Sequence, residues 1–182
     1  CASNKLTSLE YCPTVIKGDF YCSYNKLKSL VGGPEYVRGG FYCNNNQLTS
    51  LEGCPEIINR MFDCSNNKLN SLIDCPKIIN GDFYCNNNLL TVKSLNKLLN
   101  LEIKNNFINL FNNEALGALQ NIQDLNEIKK ILTIYQEKAD LMKVVEVTDK
   151  SLERTYQSVE NLDCLINKNN YTAIQKMKNN KI

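Results

Sequence analysis

The sequence predicts an α/β repeat protein, in which a solenoid with a short parallel β-sheet is followed by an α-helical C-terminal region. Two observations carry this prediction. Five cysteines recur at an unbroken interval of 21 residues, and a fixed period of this length is typical of stacked-coil proteins. From about Ala115 onward the chain lacks proline, and apolar residues are spaced alternately by three and four, which indicates helix.

The composition excludes several functional classes. The chain of 182 residues has no histidine, so Ser-His-Asp triads, Cys-His dyads and His-ligated zinc are ruled out. Its 21 Lys and Arg nearly balance 19 Asp and Glu, and the net charge of +2 favours neither nucleic acid nor a membrane as partner. No apolar run approaches the roughly 18 to 20 residues of a transmembrane helix.

Residues 1–91 contain about four and a half repeats, whose other recurrent positions keep the phase of the cysteines. An asparagine follows each cysteine by three residues and a leucine follows it by five. These positions are Cys1, Cys22, Cys43, Cys64 and Cys85; Asn4, Asn25, Asn46, Asn67 and Asn88; and Leu6, Leu27, Leu48, Leu69 and Leu90. Side chains alternate along a strand, so Phe20 and Cys22 are expected in the core and Tyr21 outside. The asparagines are expected to bond the backbone of tight turns.

Residues 20–27 read apolar-x-Cys-x-x-Asn-x-Leu. This pattern resembles the strand segment of the leucine-rich repeat family, in a short form with 21-residue Cys- and Asn-rich repeats like those of bacterial, phage and giant-virus proteins. The first leucine position of the family is served one residue out of phase by Ile16, Val37, Ile58 and Ile79. The resemblance implies a solenoid that continues upstream of residue 1, because Cys1 enters at mid-strand without its preceding Phe.

The outward strand positions are the candidate partner-binding surface, because the resemblance places them on a concave face and packing does not require them. They are rich in tyrosine and aspartate, and tyrosine supplies a large contact area with little rotamer entropy to lose. The candidates are Asp19, Tyr21, Tyr42, Met61, Asp63, Asp82 and Tyr84. A cross-strand aromatic ladder that only stabilises the sheet is the alternative interpretation.

The cysteines are expected to be reduced, buried and inert, since they follow a repeat phase and no C-x-x-C pair occurs. Metal or redox chemistry is the alternative. Cys164 lies outside the repeats. Some bacterial leucine-rich-repeat effectors carry a ubiquitin-ligase domain with a nucleophilic cysteine, but the C-terminal half is too short for that domain and lacks its Cys-x-Asp element. A cysteine-dependent enzyme is therefore disfavoured.

Beyond residue 91 the repeat phase is lost, and residues 92–112 are predicted to cap the solenoid. Residues 113–182 are predicted to form a helical hairpin with coiled-coil-like spacing, which packs on the repeats, on another copy or on a different protein. Its interface residues are Leu125, Ile128, Leu132, Tyr135, Met142, Leu152, Val159, Leu162 and Ile166.

The leading functional hypothesis is a non-enzymatic protein-interaction or assembly module of a larger protein. Its partner would be another protein or copies of itself, with no cofactor, metal, nucleic acid or membrane. The alternative is a structural component of a phage or viral particle, which the Asn- and Lys-rich composition also fits. Either role implies a reducing location, in the cytoplasm or within a particle assembled there.

Overall fold

The computed structural model describes residues 1–145. Residues 1–132 form a compact unit, a solenoid whose coils each contribute one two-residue strand to each of two parallel five-stranded sheets. With strands numbered along the chain, the first sheet contains β1 (Val15–Ile16), β3 (Tyr36–Val37), β5 (Ile57–Ile58), β7 (Ile78–Ile79) and β9 (Glu102–Ile103). The second sheet contains β2 (Phe20–Tyr21), β4 (Phe41–Tyr42), β6 (Phe62–Asp63), β8 (Phe83–Tyr84) and β10 (Ile108–Asn109).

The presence of two sheets corrects the prediction of one. The residues that stand one position out of phase with the leucine-rich-repeat pattern are the inward side chains of the first sheet, and Val37, Ile58 and Ile79 are fully buried there. Each coil turns sharply between its two strands, so a single coil supplies both faces of the core. A two-residue strand is too short to show the period-2 alternation by which strands are recognised in a sequence.

The core consists of ladders in which equivalent side chains from successive coils stack. Phe41, Phe62 and Phe83 are completely buried, and the ring centroids of Phe62 and Phe83 lie 5.3 Å apart in a stacked arrangement. The cysteines of the strand phase and the leucines of both leucine phases fill the rest. The fully buried members include Cys22, Cys43, Cys64, Cys85, Leu27, Leu30, Leu48, Leu69, Leu72 and Leu90. The expected core role of these residues is confirmed.

The asparagine ladder ties each coil to the one before it. The Asn67 Oδ1 atom accepts from the Leu48 N–H at 3.0 Å, and its Nδ2 atom donates to the Cys43 and Cys64 carbonyls at 3.1 Å each. The preceding residue in each coil has positive φ, which closes the turn. This residue is Ser3, Tyr24, Asn45, Asn66, Asn87 or Asn112. The asparagines thereby satisfy backbone groups that the tight turn would otherwise leave unpaired.

Both sheets continue past residue 91, which corrects the predicted end of the repeats. A 3-10 helix spans Val92–Asn100, then β9 pairs with β7 and β10 pairs with β8. Ile108 is the partner of Phe83, an offset of 25 residues instead of 21, so the longer return segment hides this coil from a search at fixed period. Asn113 takes the ladder position, with its Oδ1 accepting from the Leu90 N–H at 3.1 Å.

The open edge of the second sheet is covered by the chain just before the long helix. The N–H of Ile108 donates to the Gln123 carbonyl and the N–H of Leu125 donates to the Asn106 carbonyl, each at 3.0 Å, in an antiparallel arrangement. A 3-10 segment over Glu114–Asn121 leads into this strip, and helix α1 spans Leu125–Val145. Residues 113–132 therefore belong to the solenoid unit. The second helix of the predicted hairpin lies outside the described residues.

Candidate interaction surface

The outward side chains of the second sheet form a continuous surface, here called the tyrosine face. Its central row follows the strand register from Tyr21 through Tyr42 and Asp63 to Tyr84. A neighbouring row contains Asp19, Gly40, Met61, Asp82 and Phe107. The second sheet thus brings together all seven residues that the sequence proposes for this surface.

Tyr21 and Tyr42 are stacked on adjacent strands. Their ring centroids lie 4.6 Å apart and their planes differ by 7°. The Tyr21 hydroxyl donates to Asp19 Oδ2 at 3.1 Å, and Asp19 Oδ1 accepts from the Gly40 N–H at 2.7 Å. These contacts hold the pair in one orientation, although Tyr21 remains nearly half exposed.

Gly40 is the position that lets Tyr42 adopt this orientation. A Cβ atom at residue 40 would lie 2.7 Å from both Cε2 and Oη of Tyr42, which is closer than real Cβ contacts. The Tyr42 ring therefore lies over the backbone of residue 40. This role of Gly40 cannot be predicted from the sequence, because a single glycine at a strand position does not show which side chain approaches it.

The other end of the face has a second aromatic pair and the remaining carboxylates. Tyr84 contacts Phe107 at a centroid distance of 5.4 Å. Asp63 interrupts the tyrosine row, and its Oδ1 atom accepts from the N–H and hydroxyl of its own coil's Ser65 at 3.0 and 2.6 Å. The Asp82 carboxylate accepts from the Asn105 amide at 2.9 Å. The surface is thus aromatic and acidic, with ordered side chains.

The three tyrosines keep their phenol protons at neutral pH. The hydrogen bond to Asp19, followed by desolvation, raises the pKa of Tyr21. Burial raises the pKa of Tyr42, and the nearby Tyr21 and Asp19 add to it. Burial also raises the pKa of Tyr84, together with the charges of Asp82 and Asp63. Each hydroxyl is therefore a neutral donor, and that of Tyr21 is already engaged by Asp19.

The predicted helical interface divides into two parts. Leu125, Ile128 and Leu132 are buried in the solenoid core, so they close the repeat stack and offer no surface to a partner. Tyr135 is 37% exposed on α1. Met142 lies in α1, whose side-chain surroundings at that end are not described, and Leu152, Val159, Leu162 and Ile166 lie outside the described residues.

The strand cysteines are shielded thiols. Burial raises the pKa of Cys22 to about 12 and raises those of Cys43, Cys64 and Cys85 well above the ordinary value. The eight described cysteines are free, with Cys1 exposed. Thiolate is the reactive form, so the buried members are unreactive. Cys164 lies outside the described residues.

The described part of the chain contains no group of three or more Cys, Asp or Glu side chains placed to hold a metal ion. None of its helices combines the length and apolarity needed to cross a bilayer. No family model, curated protein or solved structure significantly matches the chain.

Proposed function

We propose that this chain is a non-enzymatic protein-interaction module of the leucine-rich-repeat type, which binds a protein partner through the tyrosine face. The observation that carries the proposal is the Tyr21–Tyr42 stack on the outer face of the second sheet, flanked by the Asp19 carboxylate, with Tyr21 exposed and Tyr42 half-buried. These side chains contribute nothing to the buried core, which is complete beneath them.

Tyrosine suits such a surface for two physical reasons. It offers a large contact area with few rotatable bonds, so little conformational entropy is lost on binding. Tyr21 and Tyr42 are already fixed by stacking and by the hydrogen bond to Asp19, which lowers that cost further. The carboxylates of Asp19, Asp63 and Asp82 lie along the same face, and each accepts a hydrogen bond from a neighbouring group of the chain.

The C-terminal helical region is the second part of the proposed binding surface. Because Leu125, Ile128 and Leu132 are buried in the solenoid core, the proposed helical surface is the part of α1 beyond residue 132, where Tyr135 is exposed. A Tyr135→Ala variant tests this part separately from the tyrosine face. We expect it to weaken partner retention, and full retention would remove the helix from the proposal.

The main experiment is affinity isolation of the full-length protein from its native source under reducing conditions. We expect a specific partner to be retained by wild type and lost with the Tyr21→Ala, Tyr84→Ala double variant. Tyr11→Ala is the matched control, because Tyr11 is 93% exposed but lies off the tyrosine face. Retention by the folded double variant would contradict the proposal, as would recovery only within a large particle independent of both tyrosines.

A geometric variant sharpens the test without removing a tyrosine. Gly40→Ala places a Cβ 2.7 Å from the Tyr42 ring, so the ring must shift relative to its stacking partner Tyr21. We expect partner affinity to fall while the circular dichroism spectrum of the solenoid is retained. Unchanged affinity would show that the stacked arrangement does not matter for recognition.

A further inference from the structure

The first sheet has an outward row that is unlike the tyrosine face. Val15, Tyr36, Ile57 and Ile78 occupy equivalent positions on β1, β3, β5 and β7, and they form one row along the stacked coils. Val15 is 55% exposed, Tyr36 49% and Ile57 43%. We call this row the apolar stripe. Contiguous exposed apolar side chains of this kind mark interaction sites, whereas scattered ones need no explanation.

Charged side chains border the apolar stripe in an ordered way. Glu35 and Arg38 are exposed at the two ends of β3, before and after its strand residues. At the same two positions the first coil has Thr14 and Lys17. The third coil has Glu56 and Asn59, and the fourth has Lys77 and Asn80. Each of these four coils therefore has at most one acidic residue at these two positions. Where present, it is at the position before the strand, the entry side of the coil.

We propose that the apolar stripe is a homodimer interface, in which a second copy of this chain packs on it about a two-fold axis parallel to the stacking direction of the coils. This rotation exchanges the entry and exit sides of each coil while keeping its height. Glu35 of one copy then faces Arg38 of the other, and the symmetry repeats this pair. The apolar side chains meet at the centre, as in aligned packing of two sheets.

The border charges are compatible with a second copy placed by this rotation. The rotation places Thr14 opposite Lys17, Glu56 opposite Asn59 and Lys77 opposite Asn80, so no border position in these coils meets a like charge. The Glu56–Lys77 ion pair at 2.7 Å runs along one border and needs no partner from the second copy. Like-charge contacts cost several kcal/mol in an interface, so their absence at the borders of these four coils supports this arrangement.

The end of the apolar stripe sets the extent of the interface. In the fifth coil the row position is Glu102, which is exposed and would face its own symmetry mate. This like-charge contact opposes close packing of the fifth coil, so we expect the interface to lie on the first four coils. The apolar stripe lies on the first sheet and the tyrosine face on the second, so a dimer formed this way leaves the proposed partner-binding residues accessible.

The test is sedimentation equilibrium of the full chain under reducing conditions. We expect wild type to show a concentration-dependent monomer–dimer equilibrium and Ile57→Asp to be monomeric. Ile73→Asp is the matched control, because Ile73 is 71% exposed but off the apolar stripe. It should leave the dimer constant unchanged. A wild-type chain that stays monomeric at all accessible concentrations, or a dimer indifferent to Ile57→Asp, overturns the proposal.

Reversing the charges of Glu35 and Arg38 tests the proposed two-fold axis. Both residues flank β3, so neither substitution changes a strand residue. Glu35→Arg and Arg38→Glu each place like charges across the interface, and each should weaken the dimer at least about tenfold. The double exchange should restore wild-type association, and mixing the two single variants should give a heterodimer. Failure of both recoveries refutes the proposed axis. Because these readouts need no partner protein, their failure leaves the tyrosine-face proposal standing.

Discussion

Replacing Asn88 by alanine tests the asparagine ladder at a buried point. The Asn88 Oδ1 atom accepts from the Leu69 N–H at 3.0 Å, and its Nδ2 atom donates to the Cys64 and Cys85 carbonyls at 3.2 and 3.1 Å. Asn88 is only 5% exposed. Water therefore cannot easily replace the amide, and the substitution leaves the Leu69 N–H without a partner.

The expected cost follows from which groups lose all their bonds. The Cys64 carbonyl still accepts from Asn67 and the Cys85 carbonyl still accepts from Asn113. Only the Leu69 N–H is orphaned, at about 1–3 kcal/mol, and the lost carbonyl bonds add about 0.5–1.5 kcal/mol each. Partial relaxation offsets part of that sum. We expect the free energy of unfolding to fall by about 2–4 kcal/mol.

Urea unfolding followed by circular dichroism measures this change, with Asn4→Ala as control. Asn4 is exposed, and among the described residues its amide donates only within its own coil, to the Cys1 and Ala2 carbonyls. It should cost less than about 1 kcal/mol. Asn88→Asp should be as harmful as alanine, since a carboxylate oxygen replaces the donor. A cost below about 0.5 kcal/mol at Asn88, or equal costs at both sites, would refute the bridging role.

Three further predictions concern a turn, a thiol and a helix terminus. Tyr24 has φ of 54°, where side chains other than Gly and Asn are strained, so Tyr24→Asn should raise the free energy of unfolding by about 0.5–1 kcal/mol in the same urea assay. The pKa of Cys22 is raised to about 12 by burial, so iodoacetamide at pH 8 should alkylate the exposed Cys1 and spare Cys22 until urea is added, as peptide mass spectrometry would show. Partial burial opposes ionisation of Asp124, but hydrogen bonds from the Glu127 N–H, the Asn106 amide and the Asn126 N–H outweigh it and lower the pKa. Its stabilisation is thus present above its ordinary pKa and lost as pH falls through the lowered one, so the fall in Tm between pH 5 and pH 2 should be smaller for Asp124→Asn than for wild type.

Much of the fold could be predicted because each repeat position has one environment. From Phe20 onward the Phe, Cys and Leu positions of the strand phase are buried as expected, and the asparagines bond the turns as expected. The seven residues proposed for the tyrosine face do lie on one sheet. A residue type that recurs every 21 positions reports its surroundings five times over, so a single chance substitution does not hide the signal.

The fifth coil and the packing of α1 could not be predicted, because they depend on segment lengths and spatial contacts that a 21-residue repeat does not specify. The coil from Val92 to Asn109 is lengthened, and the leucine at position 110 replaces the cysteine that marks the earlier strands. Leu125, Ile128 and Leu132 have helical spacing, but that spacing does not show which part of the protein they pack against. They pack on the solenoid because the chain just before α1 pairs with the backbone at the edge of β10, which would otherwise be left unpaired.

The sequence by itself determined the coil repeat, its core ladders and the asparagine bonds between coils, because these contacts join residues one period apart. Only the tertiary structure decided that each coil contains two short strands, which belong to two sheets with different outer faces. The tertiary structure also places the Tyr42 ring over Gly40 and puts Val15, Tyr36 and Ile57 in one row. Those relations depend on where the short strands bend in space, and a two-residue strand leaves no periodic trace of its direction.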